Sequence, residues 1–293
     1  MRPPAESLAA LLREPRLRVM PCCFDALSAR LVEGAGFELT FMSGFAVSAA
    51  RLALPDTGLI SYAEMLDQGR NICAAVSIPV IGDADTGYGN AVNVKRTLAG
   101  YAQAGFACAM IEDQRAPKRC GHTRGKQVVD RAEAQARVRA AVDAREEGAG
   151  VLVLARTDAR ATHGLEEALW RARAFEDLGA DLIFVEAPVS ESEMERVCAA
   201  TRVPQMANLV EGGDTPLLPP SRLESLGYRI AAYPLTLLSS AARAMREALA
   251  ALATGTSPDG LVPFEELREL VGFDAYDTET ARYASEPAEG GES

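Results

Sequence analysis

Short apolar runs alternate with longer amphipathic stretches along most of the 293-residue chain. Eight runs have the length and composition of buried strands; they lie at 17–22, 39–44, 78–85, 107–113, 151–159, 182–188, 203–209 and 228–234. Between them, stretches with helical spacing of apolar residues include 25–37, 91–106, 131–148 and 165–180. Glycines that end such stretches are typical of helix C-terminal caps; they are Gly36, Gly105, Gly179 and Gly227.

Continuous apolar strands that alternate with helices are typical of a parallel sheet covered on both faces. Eight such units in about 250 residues predict an α/β fold of the (β/α)₈ TIM-barrel type over residues 1–255. A doubly wound open sheet is the alternative, although no Gly-x-Gly-x-x-Gly motif follows the first strand. Residues 256–293 are predicted to hold a C-terminal helix, around 263–271, and a flexible polar tail.

The composition excludes several classes of partner. A formal net charge of −11 repels nucleic acid and anionic lipid, and no apolar stretch approaches the roughly 20 residues of a membrane span. The six cysteines contain no Cys-x-x-Cys pair and the chain has two histidines, so a zinc site is not expected. Dispersed cysteines in a chain of this size predict thiols rather than disulfides, and a cytoplasmic location.

Polar residues stand near the carboxyl ends of the predicted strands; they are Ser43, Asp83, Asp85, Glu112, Asp113, Arg156, Asp158, Glu186 and Asn208. In a barrel, the carboxyl ends of the strands meet at one active site. A single acid there can be a helix N-cap, but capping does not account for Glu112, Glu186 or Arg156. Crowded acids repel one another unless a cation lies between them, and oxygen ligands favour Mg²⁺ or Mn²⁺.

The candidate metal ligands are Asp56, Asp83, Asp85 and Glu112. Asp83 and Asp85 lie two residues apart in the segment GDADTGYGN, so their side chains are predicted to point the same way. Asp56, in LPDTG, could add a carboxylate that binds through water, or it could belong to an ordinary Pro-Asp turn.

The segment APKRCGHTRGK, residues 116–126, places Cys120 among basic side chains; these are Lys118, Arg119, His122, Arg124 and Lys126. It could be half of a metal site or of a disulfide, an exposed basic loop, or a loop with a reactive thiol. Because it follows the fourth strand and contains proline and glycine, we expect a mobile lid over the site. The cations would lower the thiol pKa from about 8.5 and attract an anionic substrate, whereas the alternative is an inert cysteine.

A series of motifs in a fixed order connects these residues; it is FDALSARL, MSGFAVSA, LPDTG, GDADTGYGN, IEDQ, KRCGH, ARTDA, VEAP, NLVEGG and YP. The series spans roughly residues 18–240 and resembles the isocitrate lyase/phosphoenolpyruvate mutase superfamily. The resemblance implies a barrel that forms homotetramers by exchanging a C-terminal helix. It also implies a Mg²⁺ (or Mn²⁺) cofactor and small 2-hydroxy or 2-oxo di- and tricarboxylate substrates.

The resemblance also implies a role for each site residue. Asp83 would bind the metal directly, and Asp56, Asp85 and Glu112 would bind it through water. The implied catalytic residues are Cys120, His122, Arg156 and Glu186. The implied substrate-binding residues are Ser43, Gly44, Phe45, Lys118, Arg119, Gly121, Arg156 and Asn208. The implied enzyme is an oxo-acid lyase that cleaves a carbon–carbon bond of a 2-hydroxy di- or tricarboxylate, of the 2-alkylmalate or 2-methylisocitrate type. It releases pyruvate or glyoxylate, and Cys120 protonates the other fragment.

Three differences from the isocitrate and methylisocitrate lyases narrow the range of expected substrates. Phe41 stands where the isocitrate and methylisocitrate lyases usually have tyrosine, so the base for the hydroxyl proton is unassigned. Phe45 and the segment NLVEGG at 208–213 are more similar to the branch with 2,3-dimethylmalate lyase, 2-alkylmalate lyases and oxaloacetate hydrolases. These residues favour a 2-alkylmalate over a tricarboxylate such as 2-methylisocitrate. The alternatives are oxaloacetate hydrolysis or decarboxylation, P–C bond chemistry, and a non-catalytic metabolite-binding or redox-sensing barrel.

Overall fold

The computed structural model describes residues 2–120 and 125–284. The strands are β1 (Arg18–Cys23), β2 (Thr40–Met42), β3 (Val80–Asp83), β4 (Cys108–Glu112), β5 (Leu152–Thr157), β6 (Leu182–Val185), β7 (Met206–Asn208) and β8 (Ile230–Tyr233). The helices are α1 (Pro4–Arg13), α2 (Ala26–Gly34), α3 (Gly44–Leu52), α4 (Tyr62–Ala75), α5 (Ala91–Ala104), α6 (Arg131–Glu146), α7 (Ala159–His163), α8 (Leu165–Asp177), α9 (Glu191–Ala200), α10 (Pro220–Leu226), α11 (Thr236–Ala253), α12 (Phe264–Val271) and α13 (Phe273–Arg282).

The eight strands form one parallel sheet in the order β6-β5-β4-β3-β2-β1-β8-β7. A parallel bridge between Ile183 and Gln205 joins the two edges, so the sheet closes nearly completely into a barrel. Each predicted strand is present, and the predicted (β/α)₈ fold is confirmed. The open-sheet alternative is therefore excluded.

Local sequence signals place the ends of several helices. Asp25 and Ser28 form a reciprocal capping box at the start of α2, and Ser61 and Glu64 form another at the start of α4. Helix α5 ends at Gly105, whose φ of +99° is readily available to glycine. Short-range capping signals therefore determine where these helices begin and end, and the strands of the barrel lie between the helices in the chain.

Alternate residues of each strand face different apolar clusters, as the strand period of two requires. On β5, Val153 and Ala155 pack outward against the helices, whereas Leu154 packs into the barrel interior. The interior cluster also contains Leu8 of α1, so α1 covers the amino end of the barrel. The polar residues at the carboxyl ends of the strands consequently lie above an apolar interior.

The chain divides into two compact units, Met1–Ala242 and Arg243–Ser293. The second contains α12, where a helix was expected, and α13, which the sequence did not predict because its residues are mostly polar. Residues 285–293 of the predicted tail lie outside the described part, and the boundary predicted at residue 255 stays a prediction. None of the helices in residues 2–120 and 125–284 has the length and apolarity to cross a bilayer.

Candidate active site

A cavity of about 580 Å³ opens at the carboxyl ends of the barrel strands. Twelve residues that the sequence analysis singled out line it; they are Phe41, Ser43, Phe45, Asp56, Asp83, Glu112, Lys118, Arg119, Cys120, Arg156, Glu186 and Asn208. Gly121 and His122 lie outside the described residues. The fold thus brings together side chains from β2, β3, β4, β5, β6 and β7, or from the residues that follow them.

The cavity has an apolar floor that the sequence analysis did not assign in full. Met110, Phe184 and Met206 line it, and each lies two residues before a predicted site residue, as Phe41 does. Since side chains at i and i+2 share one face of a strand, this spacing could have identified the layer beneath the polar residues. The remaining lining residues that were not predicted are Cys22, Val210, Ala232, Pro234 and Leu235.

Asp83, at the end of β3, is buried and held by backbone amides. Its carboxylate accepts hydrogen bonds from the amide of Gly44 at 3.1 Å and the amide of Asp85 at 3.1 Å. A Cβ atom on residue 44 would lie 2.5 Å from Asp83 Oδ2, so only glycine fits there. The backbone of Gly44 thus contacts Asp83, and its role in substrate binding stays a prediction.

Lys118 lies between two of the predicted metal ligands. Its Nζ is 2.5 Å from Asp56 Oδ1 and 2.7 Å from Asp85 Oδ1, and all three side chains are buried. Burial by itself lowers the pKa of Lys118, but the charges of Asp85, Asp83 and Asp56 raise it well above its usual range. Lys118, expected near the thiol, thus neutralises part of the acid cluster.

The buried acids retain an excess of negative charge. Burial raises the pKa of Asp83, and the nearby Asp85 raises it further. Burial likewise raises the pKa of Asp85 and raises that of Glu112 well above its usual range. Glu112 Oε1 is buried and accepts no hydrogen bond from the described residues. These groups would be stabilised as anions by a cation placed between them.

The donor set fits a hard divalent cation. Within residues 2–120 and 125–284, no three carboxylate, thiol or imidazole groups converge as metal ligands. Mg²⁺ often takes only one or two carboxylates and retains several waters, so Asp83 and the unpartnered oxygen of Glu112 are compatible with it. The oxygen-only chemistry of this cluster agrees with Mg²⁺ or Mn²⁺ and disfavours softer metals.

Arg156 on β5 is the buried cation at the centre of the site. Its guanidinium lies 2.8 Å from Asp158, 3.0 Å from Glu186 and 3.3 Å from Glu112. It also lies 5.1 Å from the ring centroid of Phe184, within cation–π range. Burial alone would lower the pKa of Arg156, but the charges of these three acids outweigh burial and raise the pKa well above its usual range. The side chain is therefore a permanent cation.

Cys120 lines the cavity and is half-buried. The chain just before it is held by Gln114, whose side chain exchanges hydrogen bonds with the backbone of Arg119 at 2.8 Å and 2.9 Å. At the end of the segment, Lys126 donates to Asp158 at 3.0 Å. Neither Gln114 nor Asp158 could be assigned a role from the sequence, although their partners Arg119 and Arg156 are close in the chain, because spacing alone does not show that two such groups meet.

Two further predicted residues make local contacts at the cavity. Ser43 is the N-cap of α3, and its Oγ accepts from the amide of Ala46 at 3.3 Å, which leaves its hydroxyl proton for another acceptor. Asn208 Nδ2 lies 3.3 Å from Glu186 Oε2. Both residues present polar atoms at the carboxyl end of the barrel, where a substrate carboxylate could bind.

Known proteins with similar sequences identify the family of the chain. The family described as phosphoenolpyruvate phosphomutase matches residues 8–253. The chain is 41% identical to 2,3-dimethylmalate lyase of Eubacterium barkeri, over 92% of this chain and 94% of that protein. It is 42% identical to the chloroplastic carboxyvinyl-carboxyphosphonate phosphorylmutase of Arabidopsis thaliana, over 94% of this chain and 83% of that protein.

Solved structures of related enzymes have the same fold as this chain. A 2,3-dimethylmalate lyase, described as a PEP mutase/isocitrate lyase superfamily member, matches with a TM-score of 0.92 and 36% identity, covering 100% of this chain and 99% of that one. Oxaloacetate acetylhydrolase with 3,3-difluorooxalacetate matches at 0.91 and 36%, covering 97% and 98%. Phosphonopyruvate hydrolase with oxalate and Mg²⁺ matches at 0.86 and 30%, covering 96% and 99%. The chain is therefore an enzyme of the phosphoenolpyruvate mutase/isocitrate lyase superfamily, and the resemblance seen in its motifs is confirmed.

Proposed function

We propose that the protein is a Mg²⁺-dependent carbon–carbon lyase that cleaves a 2-hydroxy dicarboxylate of the 2-alkylmalate type. The observation that carries the proposal is one cavity that combines buried acids, the permanent cation Arg156 and the thiol of Cys120 over an apolar floor. Relatives named as lyases, at about two-fifths identity over more than nine-tenths of the chain, support the same reaction class.

Four carboxylates would hold the metal, with Asp83 binding directly and Asp56, Asp85 and Glu112 binding through water. When bound, Mg²⁺ would supply Lewis-acid polarisation of the substrate's 2-hydroxyl and carboxylate oxygens. Lys118 would remain paired with Asp56 and Asp85, which reduces the net negative charge around the metal. In this arrangement the acids of the cavity serve the metal and Arg156 rather than the substrate directly.

Arg156 would bind a substrate carboxylate and stabilise the negative charge that develops as the carbon–carbon bond breaks. The 2-hydroxyl gives its proton to a base, to which no residue is assigned, and becomes the carbonyl of the 2-oxo acid product. The bonding electrons pass to the other fragment, and the Cys120 thiol donates a proton to its carbon. Ser43 and Asn208 would orient the substrate, Lys118 and Arg119 would attract its negative charge, and Glu186 would hold Arg156 in place. We assign Gly121 and His122 to the same site on the resemblance alone.

The lining of the cavity favours a dicarboxylate with an alkyl group. Phe41, Phe45, Val210 and Leu235 provide apolar surface beside the polar groups. A third carboxylate would have to lie against this surface, where an unpaired charge is strongly disfavoured. An alkyl substituent, in contrast, would be removed from water there, which stabilises the complex by roughly 0.8 kcal/mol for each buried CH₂ group.

A second candidate is hydrolysis of oxaloacetate. The structural match to oxaloacetate acetylhydrolase favours it, since oxaloacetate is also a four-carbon dicarboxylate. P–C bond chemistry is the third candidate, supported by the relative named as a phosphorylmutase and by the match to phosphonopyruvate hydrolase. The three reactions share the metal site and Arg156 and differ in the groups placed above them.

A panel of five acids tests the proposal. The purified protein with Mg²⁺ is mixed with citramalate, 2,3-dimethylmalate, 2-methylisocitrate, isocitrate or oxaloacetate, and pyruvate, glyoxylate and oxalate are quantified. We expect pyruvate from a 2-alkylmalate at a kcat on the order of 1–100 s⁻¹, abolished by EDTA and restored by added Mg²⁺. Oxalate from oxaloacetate alone would establish the second candidate, and no product from any acid would refute the lyase.

We also propose a cytoplasmic homotetramer that exchanges its C-terminal helices, on the basis of the family resemblance. The thiols of Cys22, Cys23, Cys73, Cys108 and Cys198 agree with a reducing compartment. Light scattering on the full chain should give a mass of four times 31.1 kDa.

A further inference from the structure

Asp158 is a buried acid at the carboxyl end of β5 to which nothing above assigns a function. Its side chain is 0% exposed. One oxygen accepts from Arg156 Nε at 2.8 Å, and the other accepts from Arg156 Nη2 at 3.1 Å. The second oxygen also accepts from Lys126 Nζ at 3.0 Å. A single carboxylate therefore joins the central arginine to Lys126, the last residue of the Cys120 segment.

Helix capping does not account for this side chain. Asp158 occupies the N-cap position of α7, but its carboxylate accepts no hydrogen bond from that helix. Instead, the residue is held in place from behind, because Asp113 accepts from the Asp158 amide at 2.9 Å and from the Thr157 hydroxyl at 2.6 Å. Arg171 in turn donates to Asp113 at 3.0 Å. The carboxylate is thus directed into the site by a rigid, buried network.

The two parallel bonds determine which edge of Arg156 faces the cavity. Asp158 engages the Nε and Nη2 edge of the guanidinium, and a bidentate pair of this kind sets its plane as well as its position. Among the described residues none accepts a hydrogen bond from Nη1 of Arg156. The Nη1 edge can therefore meet a carboxylate that enters the cavity.

We propose that Asp158 is the positioning residue for Arg156 in substrate binding. The inference rests on the proposed role of Arg156 but not on which acid the enzyme cleaves. Without Asp158, the guanidinium would turn toward Glu112 and Glu186, which lie 3.3 Å and 3.0 Å away, and its free edge would leave the position that a substrate carboxylate needs. Small displacements of this kind weaken the contacts that substrate and transition state share.

The experiment measures oxalate binding by calorimetry in the presence of Mg²⁺, with oxalate as the dicarboxylate probe. Asp158→Asn preserves the shape of the side chain and removes its charge. We expect it to raise the Kd of oxalate about 10- to 100-fold and to raise KM for the cleaved acid by a larger factor than it lowers kcat. If Asp158→Asn does not fold, Asp158→Glu keeps the charge but moves the carboxylate, and the same loss of oxalate affinity is expected.

Two further variants separate positioning from general damage. Asp181 accepts hydrogen bonds from Arg145 at 2.6 Å and from the Val153 amide at 2.8 Å. Val153 lies near the amino end of β5, the strand that carries Arg156. Asp181→Asn should lower Tm yet leave the oxalate Kd within about twofold, because it lies far from the cavity. Lys126→Gln should change the Kd less than about threefold, since both bonds between Asp158 and Arg156 remain.

Several results would overturn the inference. Oxalate affinity that survives Asp158→Asn would show that Arg156 needs no such support. Equal losses in Asp158→Asn and Lys126→Gln would show that Asp158 acts through Lys126 instead. A wild-type protein that does not bind oxalate with Mg²⁺ would remove Arg156 as an anion site. Oxalate binding without turnover of any of the five acids would refute the lyase alone and leave the positioning role of Asp158 intact.

Discussion

The two ends of the barrel interior contain different kinds of buried side chain, apolar at the amino end and charged at the carboxyl end. At the amino end, Leu8, Met20 and Leu154 pack in an apolar cluster without exposed surface. At the carboxyl end, Asp83 and Glu112 are also buried, but burial raises the pKa of each, which means that the fold disfavours their charged forms. Apolar burial stabilises a fold, whereas buried charge costs free energy unless it is paired.

The comparison shows that the amino end of the barrel contributes stability, whereas the carboxyl end carries the groups that can react. Near the amino end, Arg145 and Asp181 form a charged pair at the surface, with about a quarter of each side chain exposed. At the carboxyl end, Lys118 and Arg156 are enclosed with their acids. Substitutions at one end should therefore change stability, and those at the other should change activity and pH behaviour.

The largest expected effect separates the ends by activity. Cys120→Ser should reduce kcat by about 10²- to 10⁴-fold, because the hydroxyl is a far weaker proton donor than the thiol. Its Tm should stay close to that of the wild type. Turnover of the best acid in the panel and thermal unfolding provide the two measurements.

Cys198 offers a matched control, since it is half-buried on α9 and is absent from the cavity lining. Cys198→Ser should keep its full kcat. Unchanged turnover in Cys120→Ser would show that the acid/base assignment of Cys120 is wrong.

The next effect is on stability at the apolar end. Leu154 is fully buried two residues before Arg156 on β5, so Leu154→Ala leaves a cavity inside the barrel and should lower the free energy of unfolding by about 2–5 kcal/mol. Urea denaturation measures this change. Val92, 73% exposed on α5, supplies the control, because Val92→Ala should cost less than about 0.5 kcal/mol. A cost below about 1 kcal/mol for Leu154→Ala would contradict a well-packed interior.

The smallest effect has the opposite sign. Glu112→Gln should raise the free energy of unfolding by about 1 kcal/mol at neutral pH without divalent ions, since it removes a buried charge from a cluster with excess acid. Because burial raises the folded-state pKa of Glu112 above 4.5, the advantage should be absent below pH 4.5 and grow as the pH rises toward the folded-state value.

Denaturant titrations of both proteins between pH 4 and pH 8 measure this difference, and added Mg²⁺ should reduce it by stabilising the wild type. The variant should also lose most of its activity. A Glu112→Gln protein that is less stable than the wild type at every pH would show that the pair with Arg156 outweighs the burial of the charge.

Much of the barrel and the site could be predicted because the signals are local. Each strand is a short apolar run, and Asp83, Glu112 and Arg156 stand at or near the ends of such runs. In a barrel these ends must meet, so the position of a residue along its own strand is enough to place it in the cavity. Helix α13 was not predicted because it lacks such a local signal, the regular apolar stripe on which helix predictions depend.

The partners of these residues could not be predicted. The sequence placed Lys118 beside a thiol, whereas the fold pairs it with Asp56 and Asp85. Asp158 could be read as an N-cap, but its carboxylate binds Arg156 and Lys126. Lys118 and its two acids are far apart in the chain, and although Asp158 is close to Arg156 in the chain, no local pattern encodes which acid pairs with which cation.

The sequence by itself determined the number and order of the strands, the acids at their carboxyl ends and the family to which the chain belongs. These features follow from hydrophobic periodicity and short motifs, which act within one element. Only the tertiary structure decided that Lys118 lies within the acid cluster, that Gly44 must be glycine beside Asp83, and that Asp158 orients Arg156. The reason is physical: buried charges select partners by proximity in a low-dielectric interior, and that proximity exists only once the barrel has closed.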